Sequence, residues 1–244
     1  MNHGSRSLIL LVLFALAIVV PASSFTLDPM VASLAPMGAG AIRTFRVKND
    51  GTERIAIRLS VVKRSMNSDG IEITEPADNL FKIYPARLVI DPASTVAFKI
   101  QWKGESAPNK ELCFRLIAEQ VPIDFTNTVV SGIRIMFRYI ASVYITPTVS
   151  SAELLVESAQ GETDAKGNAG FMVTVRNSGT RHVIATEVSF EIKEAGVVLT
   201  GGDALGAADG ANYLPGLERR FFIPNAAAVP GRVYEALLRF TPEY

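Results

Sequence analysis

Gly132-Ile-Arg-Ile-Met-Phe-Arg-Tyr-Ile-Ala-Ser-Val-Tyr-Ile145, closed by Thr146-Pro147, is the stretch on which the reading of this chain turns. Ile133, Ile135, Phe137 and Tyr139 hold its odd positions and Arg134, Met136 and Arg138 its even ones. In a β-strand these two sets emerge on opposite faces, one apolar and one mixed. At roughly 3.3 Å per residue the stretch would run more than about 40 Å, over twice the usual strand, so part of it is expected to project beyond its own neighbours. An apolar edge of that length invites another chain to pair with its free N–H and C=O groups. The expectation is an edge kept open for a partner.

The segments around it read as further strands. Ile42 to Lys48 alternates with Ile42, Phe45 and Val47 as its apolar members, and Asn49-Asp50-Gly51 supplies a turn. Arg54 to Val62 sets Ile55, Ile57, Leu59 and Val61 against Arg54, Ala56, Arg58 and Ser60, and Thr95 to Trp102 repeats the period with Val96, Phe98 and Ile100. Ile71 to Thr74 and Glu111 to Val121 complete the strands of the first half, Pro85 to Ser94 leads by way of a Pro turn into Thr95, and Phe25 to Met37 is extended, with Thr26 to Leu34 as the first strand. Only Ala77 to Tyr84 suggests a helical turn, with Asp78-Asn79 capping Leu80-Phe81 before Pro85.

Beyond Pro147, strands are expected at 152–159, 171–176, 182–192, 196–200, 219–223 and 234–240, with a turn from Gly161 to Gly170. Phe171-Met-Val-Thr-Val-Arg-Asn-Ser-Gly-Thr180 echoes Thr44-Phe-Arg-Val-Lys-Asn-Asp-Gly-Thr52, about 130 residues apart, which suggests two domains of related build. Short strands at regular turn spacing make the chain all-β, as two antiparallel sandwiches of about 100 residues each.

Met1 to Ser24 has the form of a secretory signal, with Arg6, an apolar run from Leu8 to Val20 and small residues at Ala22-Ser23-Ser24. An uncleaved anchor is the other reading, but the apolar run falls short of the roughly 20 residues a spanning helix needs. Cleavage would remove Arg6 and leave 23 basic residues (24 minus one) against 24 acidic ones. That balance argues against nucleic acid as a partner. Cys113, the single cysteine, cannot form an internal disulfide and is read as a small buried hydrophobe. His182, the one histidine outside the signal, reads as a loop or strand-start residue. There is no G-x-S-x-G, H-E-x-x-H or phosphate loop, so no catalytic residue, metal site or cofactor is expected.

The chain resembles the periplasmic pilus chaperones of the chaperone–usher pathway. The resemblance is carried by the signal, by Thr44-Phe-Arg-Val-Lys-Asn-Asp-Gly51 and by Tyr84-Pro-Ala-Arg-Leu-Val-Ile-Asp-Pro92. Leu112-Cys-Phe-Arg-Leu116 with Val121-Pro122 and the segment from Ile133 to Pro147 complete it. It implies a signal (1–24) and two immunoglobulin-like sandwiches (25–147 and 148–244) set in an L or boomerang. It further implies a function: binding pilus subunits that lack a strand, lending them one, and delivering them to an outer-membrane usher. Strand donation of this kind is a known mode of peptide recognition.

By the same resemblance Ile133, Ile135 and Phe137, with Tyr139 as a fourth, are the lent side chains; Tyr139 is equally well read as an inward core residue. A subunit's C-terminal carboxylate is held in this family by two basic residues, one on the first strand and one on the long strand. Here the second position falls on Ser142 and Thr26 to Leu34 has no Lys or Arg. This departure suggests an archaic or alternative branch and leaves Arg87, first, then Arg115 and Arg138 as candidate anchors. The resemblance places the protein in the periplasm with no membrane span after signal cleavage, and allows self-association of the free form. Its rival is a secreted structural or adhesive β-sandwich.

Overall fold

The computed structural model describes residues 25–123, 135–201 and 205–244. The expected signal, Ile133 and Arg134 lie outside the described residues. The first half carries β1 (Phe25–Asp28), β2 (Val31–Leu34), β3 (Ile42–Asn49), β4 (Ile55–Met66), β5 (Glu72–Pro76), β6 (Phe81–Tyr84), β7 (Arg87–Ile90), β8 (Thr95–Trp102), β9 (Leu112–Val121) and β10 (Arg138–Ile145). The second carries β11 (Leu154–Thr163), β12 (Ala169–Asn177), β13 (Val183–Ile192), β14 (Val197–Thr200), β15 (Ala211–Tyr213), β16 (Glu218–Pro224), β17 (Val233–Tyr234) and β18 (Ala236–Glu243).

In the first half a sheet in the order β1-β3-β8-β6 faces one in the order β2-β10-β9-β4-β5, with β7 also on β4. The expected alternation sets the core between them. Phe45 and Val47, Phe98 and Ile100, Ile57, Leu59 and Val61, and Phe114, Leu116 and Ala118 all point inward and are buried. Ile42, the first apolar member of that run, is exposed. Phe81, Trp102 and Phe114 meet with ring centroids 5.0–5.4 Å apart, mostly edge-on, the arrangement ring quadrupoles favour.

The second half repeats the plan, with β16-β12-β11-β17 facing β14-β13-β15 and β18 on β13. Its own core holds Phe171, Val173, Val175, Phe190, Tyr213 and Ile223. The fold is thus all-β, two sandwiches each closed on its own core. Among the described residues no helix is long and apolar enough to cross a membrane.

The structure changes three readings. Thr26 to Leu34 is two strands: β1 pairs β3 and β2 pairs β10, in different sheets, because Pro29 interrupts the ladder between them. The helical turn is a single 3-10 turn at Asp78–Leu80, and Phe81–Tyr84 is a strand on β8 that buries Phe81. The Asp78 carboxylate does not cap the turn but accepts the Val61 N–H, 2.7 Å away. Finally, Gly161 lies within β11, so the turn before β12 is shorter than expected.

The sequence echo is a repeated structural part. Asn49 and Asn177 are both fully buried. Asn49 Oδ1 accepts from the Gly51 N–H while its Nδ2 donates to the carbonyls of Glu53 and Ile90. Asn177 does the same with Gly179, Arg181 and Tyr213. Each amide closes its own turn and ties it to a strand across the sandwich, satisfying polar groups that burial would otherwise leave unpaired. Replacing Asn49 with Ala should destabilise the first sandwich by about 2–4 kcal/mol. The fluorescence of Trp102, the only tryptophan, should then report an earlier urea transition, whereas Asn177→Ala should leave that signal nearly unmoved.

Candidate functional site

Strand β10 is paired unequally on its two sides. On one, β9 matches it from Arg138 to Ile145. On the other, the parallel strand β2 covers only Ser142 to Ile145, and the last bond runs from the Ser142 N–H to the Met30 carbonyl. Among the described residues no strand covers the outer side of β10 at Arg138 and Ile140. Ladder pairing in β10 begins at Arg138, so the strand is shorter here than the fourteen-residue stretch suggested, although the Phe137 carbonyl still accepts the Gln120 N–H.

Exposure rises steadily along the odd face of this segment. Ala141, Val143 and Ile145 are buried in the first core. Tyr139 and Phe137 are half-buried at its mouth, with the Tyr139 ring 4.7 Å from that of Phe25. Ile135 is 64% exposed. Tyr139 therefore takes part in the chain's own core, whereas Ile135 has left it. Met30, Val31, Met136 and Ile140 are also exposed around the same edge. Such an apolar fringe beside an edge that no described strand covers is a surface suited to pairing.

The even face of β10 continues across β9 and β4, because cross-strand neighbours share a face. Ser142 lies opposite Arg115, and Arg115 opposite Val62. The Arg115 Nη1 donates to Ser142 Oγ at 2.5 Å, while its Nε and Nη2 grip the Glu72 carboxylate at 2.6–3.2 Å. Glu72 also accepts from Arg64 Nε at 2.8 Å. Burial raises the Glu72 pKa, but the hydrogen bonds and charges of Arg115 and Arg64 outweigh it and hold the carboxyl below its usual value.

The three candidate anchors are not brought together. Arg115 is beside Ser142, whereas Arg138 and Arg87 share a more distant row with Glu119 and Arg58, near the free part of the edge. Arg87 is exposed there. Arg64 and Glu72 escaped sequence reading because nothing local marks an arginine that is to be buried against a carboxylate on the next strand.

The two sandwiches meet at this end of the sheet. Glu111 and His182 are both buried, and Glu111 Oε1 lies 2.5 Å from His182 Nδ1 and accepts the His182 backbone N–H at 3.0 Å. Thr146 donates its hydroxyl to Oε2. The His182 ring stacks on Tyr144, centroids 3.7 Å apart, and the Tyr144 hydroxyl accepts from both Arg64 and Asn212. His182 is at a strand start, as expected, but its partner 71 positions earlier was not foreseeable. Cys113, Tyr144 and Leu214 form a small apolar cluster here, beside a cleft of about 300 Å³ lined partly by Lys63, Lys110 and Leu217. Burial pushes the Cys113 thiol up to about 12, which leaves it protonated and unreactive near neutrality. Among the described residues no three His, Cys, Asp or Glu side chains are grouped to hold a metal.

Sequence comparison matches no protein-family model and no curated protein. Solved structures do match. A chaperone–tip adhesin complex of CFA/I fimbriae aligns with 91% of this chain and 100% of its own at 16% identity and a TM-score of 0.57. The class 5 fimbriae chaperone CfaA aligns over 89% and 98% at 15% identity, with a TM-score of 0.56. The CsuC–CsuE chaperone–tip adhesion subunit pre-assembly complex, from archaic chaperone-usher Csu pili of Acinetobacter baumannii, aligns over 88% and 98% at 13% and 0.58. At such identities the likeness establishes the fold: the two-sandwich build of these pilus chaperones.

Two outcomes follow. His182→Ala strands a buried carboxylate and should cost about 3–5 kcal/mol in urea unfolding, part of which Glu111→Gln in the same chain should restore. Cys113 should resist iodoacetamide at pH 8 in the folded protein and react once urea unfolds it.

Proposed function

We propose that this protein is a periplasmic chaperone that binds pilus subunits by lending them the outer side of β10 and passes them to an outer-membrane usher. The observation that carries the proposal is that, among the described residues, no strand covers the outer side of β10 at Arg138 and Ile140, next to an exposed Ile135. Two of the similar structures are chaperones in complex with adhesin subunits, which supports a partner of that kind.

Ile133, Ile135 and Phe137 enter the subunit in this reading, while Tyr139 stays shared with the chain's own core. Each such side chain contributes about 1.5–3 kcal/mol on burial. Association costs about 4–15 kcal/mol, so the added backbone ladder must supply the balance. Arg115 is the anchor for the subunit's C-terminal carboxylate, because it alone of the three candidates sits against Ser142. Arg138 and Arg87 lie along the path of the lent strand. The division into domains falls at Pro147, the first 24 residues are removed on export, and no chemistry is catalysed. When no subunit is bound, the same edge can pair with a second copy.

The reading as a fibre subunit is disfavoured because β1 and β2, which would have to serve as a free donor extension, are both paired within the fold. Co-expression with a subunit encoded beside this protein tests the proposal. The wild type should retain the subunit one-to-one, and Ile135→Asp with Phe137→Asp should lose at least nine-tenths of it. Val198→Asp, at an exposed position on the second sandwich, should retain it in full. Retention by the double variant would refute the donor role of this edge.

A further inference from the structure

The arginines near the junction of the two sandwiches are unevenly matched. Arg64 and Arg115 both pair with Glu72, and no second carboxylate pairs with either among the described residues. Arg219, on β16 of the second sandwich, donates to the Asn212 carbonyl at 3.2 Å. It has no carboxylate partner among the described residues. Its Nε and the neighbouring Asn212 Oδ1 are buried without a hydrogen-bond partner. Burial first, and the nearby charge of Arg64 to a lesser degree, disfavours the charged form of Arg219, and Arg64 and Arg115 share the one Glu72 carboxylate, so a further anion is favoured beside them.

The cations are fixed and the anion is not. The Arg64 side chain is 5% exposed and is braced by the Tyr144 hydroxyl. Arg115 rises from the central strand β9, is 20% exposed and is held by Ser142. Glu72 is 29% exposed and reaches in from β5, an edge strand whose ladder with β4 uses backbone groups alone. Its side chain can swing out without breaking that ladder, whereas the guanidiniums cannot follow it.

We propose that Glu72 is a built-in competitor for the carboxylate site. It keeps Arg64 and Arg115 aligned, and a partner's C-terminal carboxylate must displace it to be held. This rests on the subunit-binding reading above and adds a control to it. Glu72 sets how tightly a carboxylate is gripped, trading affinity for guanidiniums that are already oriented when the partner arrives.

Acetate serves as the probe. The exported chain, labelled at arginine Nε, is titrated with sodium acetate at constant ionic strength, with acetamide as the uncharged control. Acetate should shift the Arg64 and Arg115 Nε–H resonances of the wild type, and acetamide should not. In Glu72→Gln the midpoint should fall about tenfold, as expected when an internal ion pair worth one decade is removed. Glu72→Asp, too short to reach both guanidiniums, should move the midpoint the same way by a smaller factor, and it serves if the Gln variant fails to fold. Equal midpoints in the wild type and the variants, or an Arg115 resonance that acetate leaves unmoved in Glu72→Gln, would overturn the proposal. Acetate reads only the pocket and co-purification reads the edge, so either result can fail while the other stands.

Discussion

A backbone that enters a sheet must have its N–H and C=O groups paired or solvated, and among the described residues β10 has strand partners on both sides for only half its length. The parallel partner β2 stops at Val31, opposite Ser142, because the chain before it turns at Pro29 to join the other sheet as β1. One short segment is thereby divided between two layers, and the strand beside it keeps a flank that no described strand covers. The apolar fringe, the gradient from Ile145 out to Ile135 and the proposed partner all depend on that division.

Electrostatics adds a second asymmetry to a chain that is neutral overall. Basic and acidic residues number 24 each, yet Arg64, Arg115 and Arg219 gather where the sandwiches meet, with Glu72 as the carboxylate between the first two. Pairs at the periphery, such as Arg58 with Glu119 and Arg220 with Asp69, are solvent-exposed and add little to stability. The cleft charges are partly desolvated, so their arrangement bears on binding more than their number does.

Much of this was legible in the sequence, for a physical reason. Strand alternation is a local property, so Ile57, Leu59 and Val61, and Phe98 with Ile100, could be assigned to the core from period alone. The Asn-x-Gly-Thr echo could be read as a repeated unit because its bonds reach two and four residues along the chain. The third bond of each amide, to Ile90 or Tyr213, could not. Long-range partners were invisible for the same reason: Glu72 with Arg115 spans 43 positions, and Glu111 with His182 spans 71. Phe81 was drawn into a helical turn by the capping residues before it, although its burial against Trp102 is what decides its conformation.

Tyr144 belongs to two assemblies at once. Its ring is the floor on which the second sandwich rests through His182, and its hydroxyl is a brace for Arg64. The way one half leans on the other and the posture of the guanidinium are therefore a single mechanical variable. The halves of this molecule are not interchangeable cassettes: a foreign second half lacking an equivalent of His182 and Asn212 would unsettle an arginine that belongs wholly to the first.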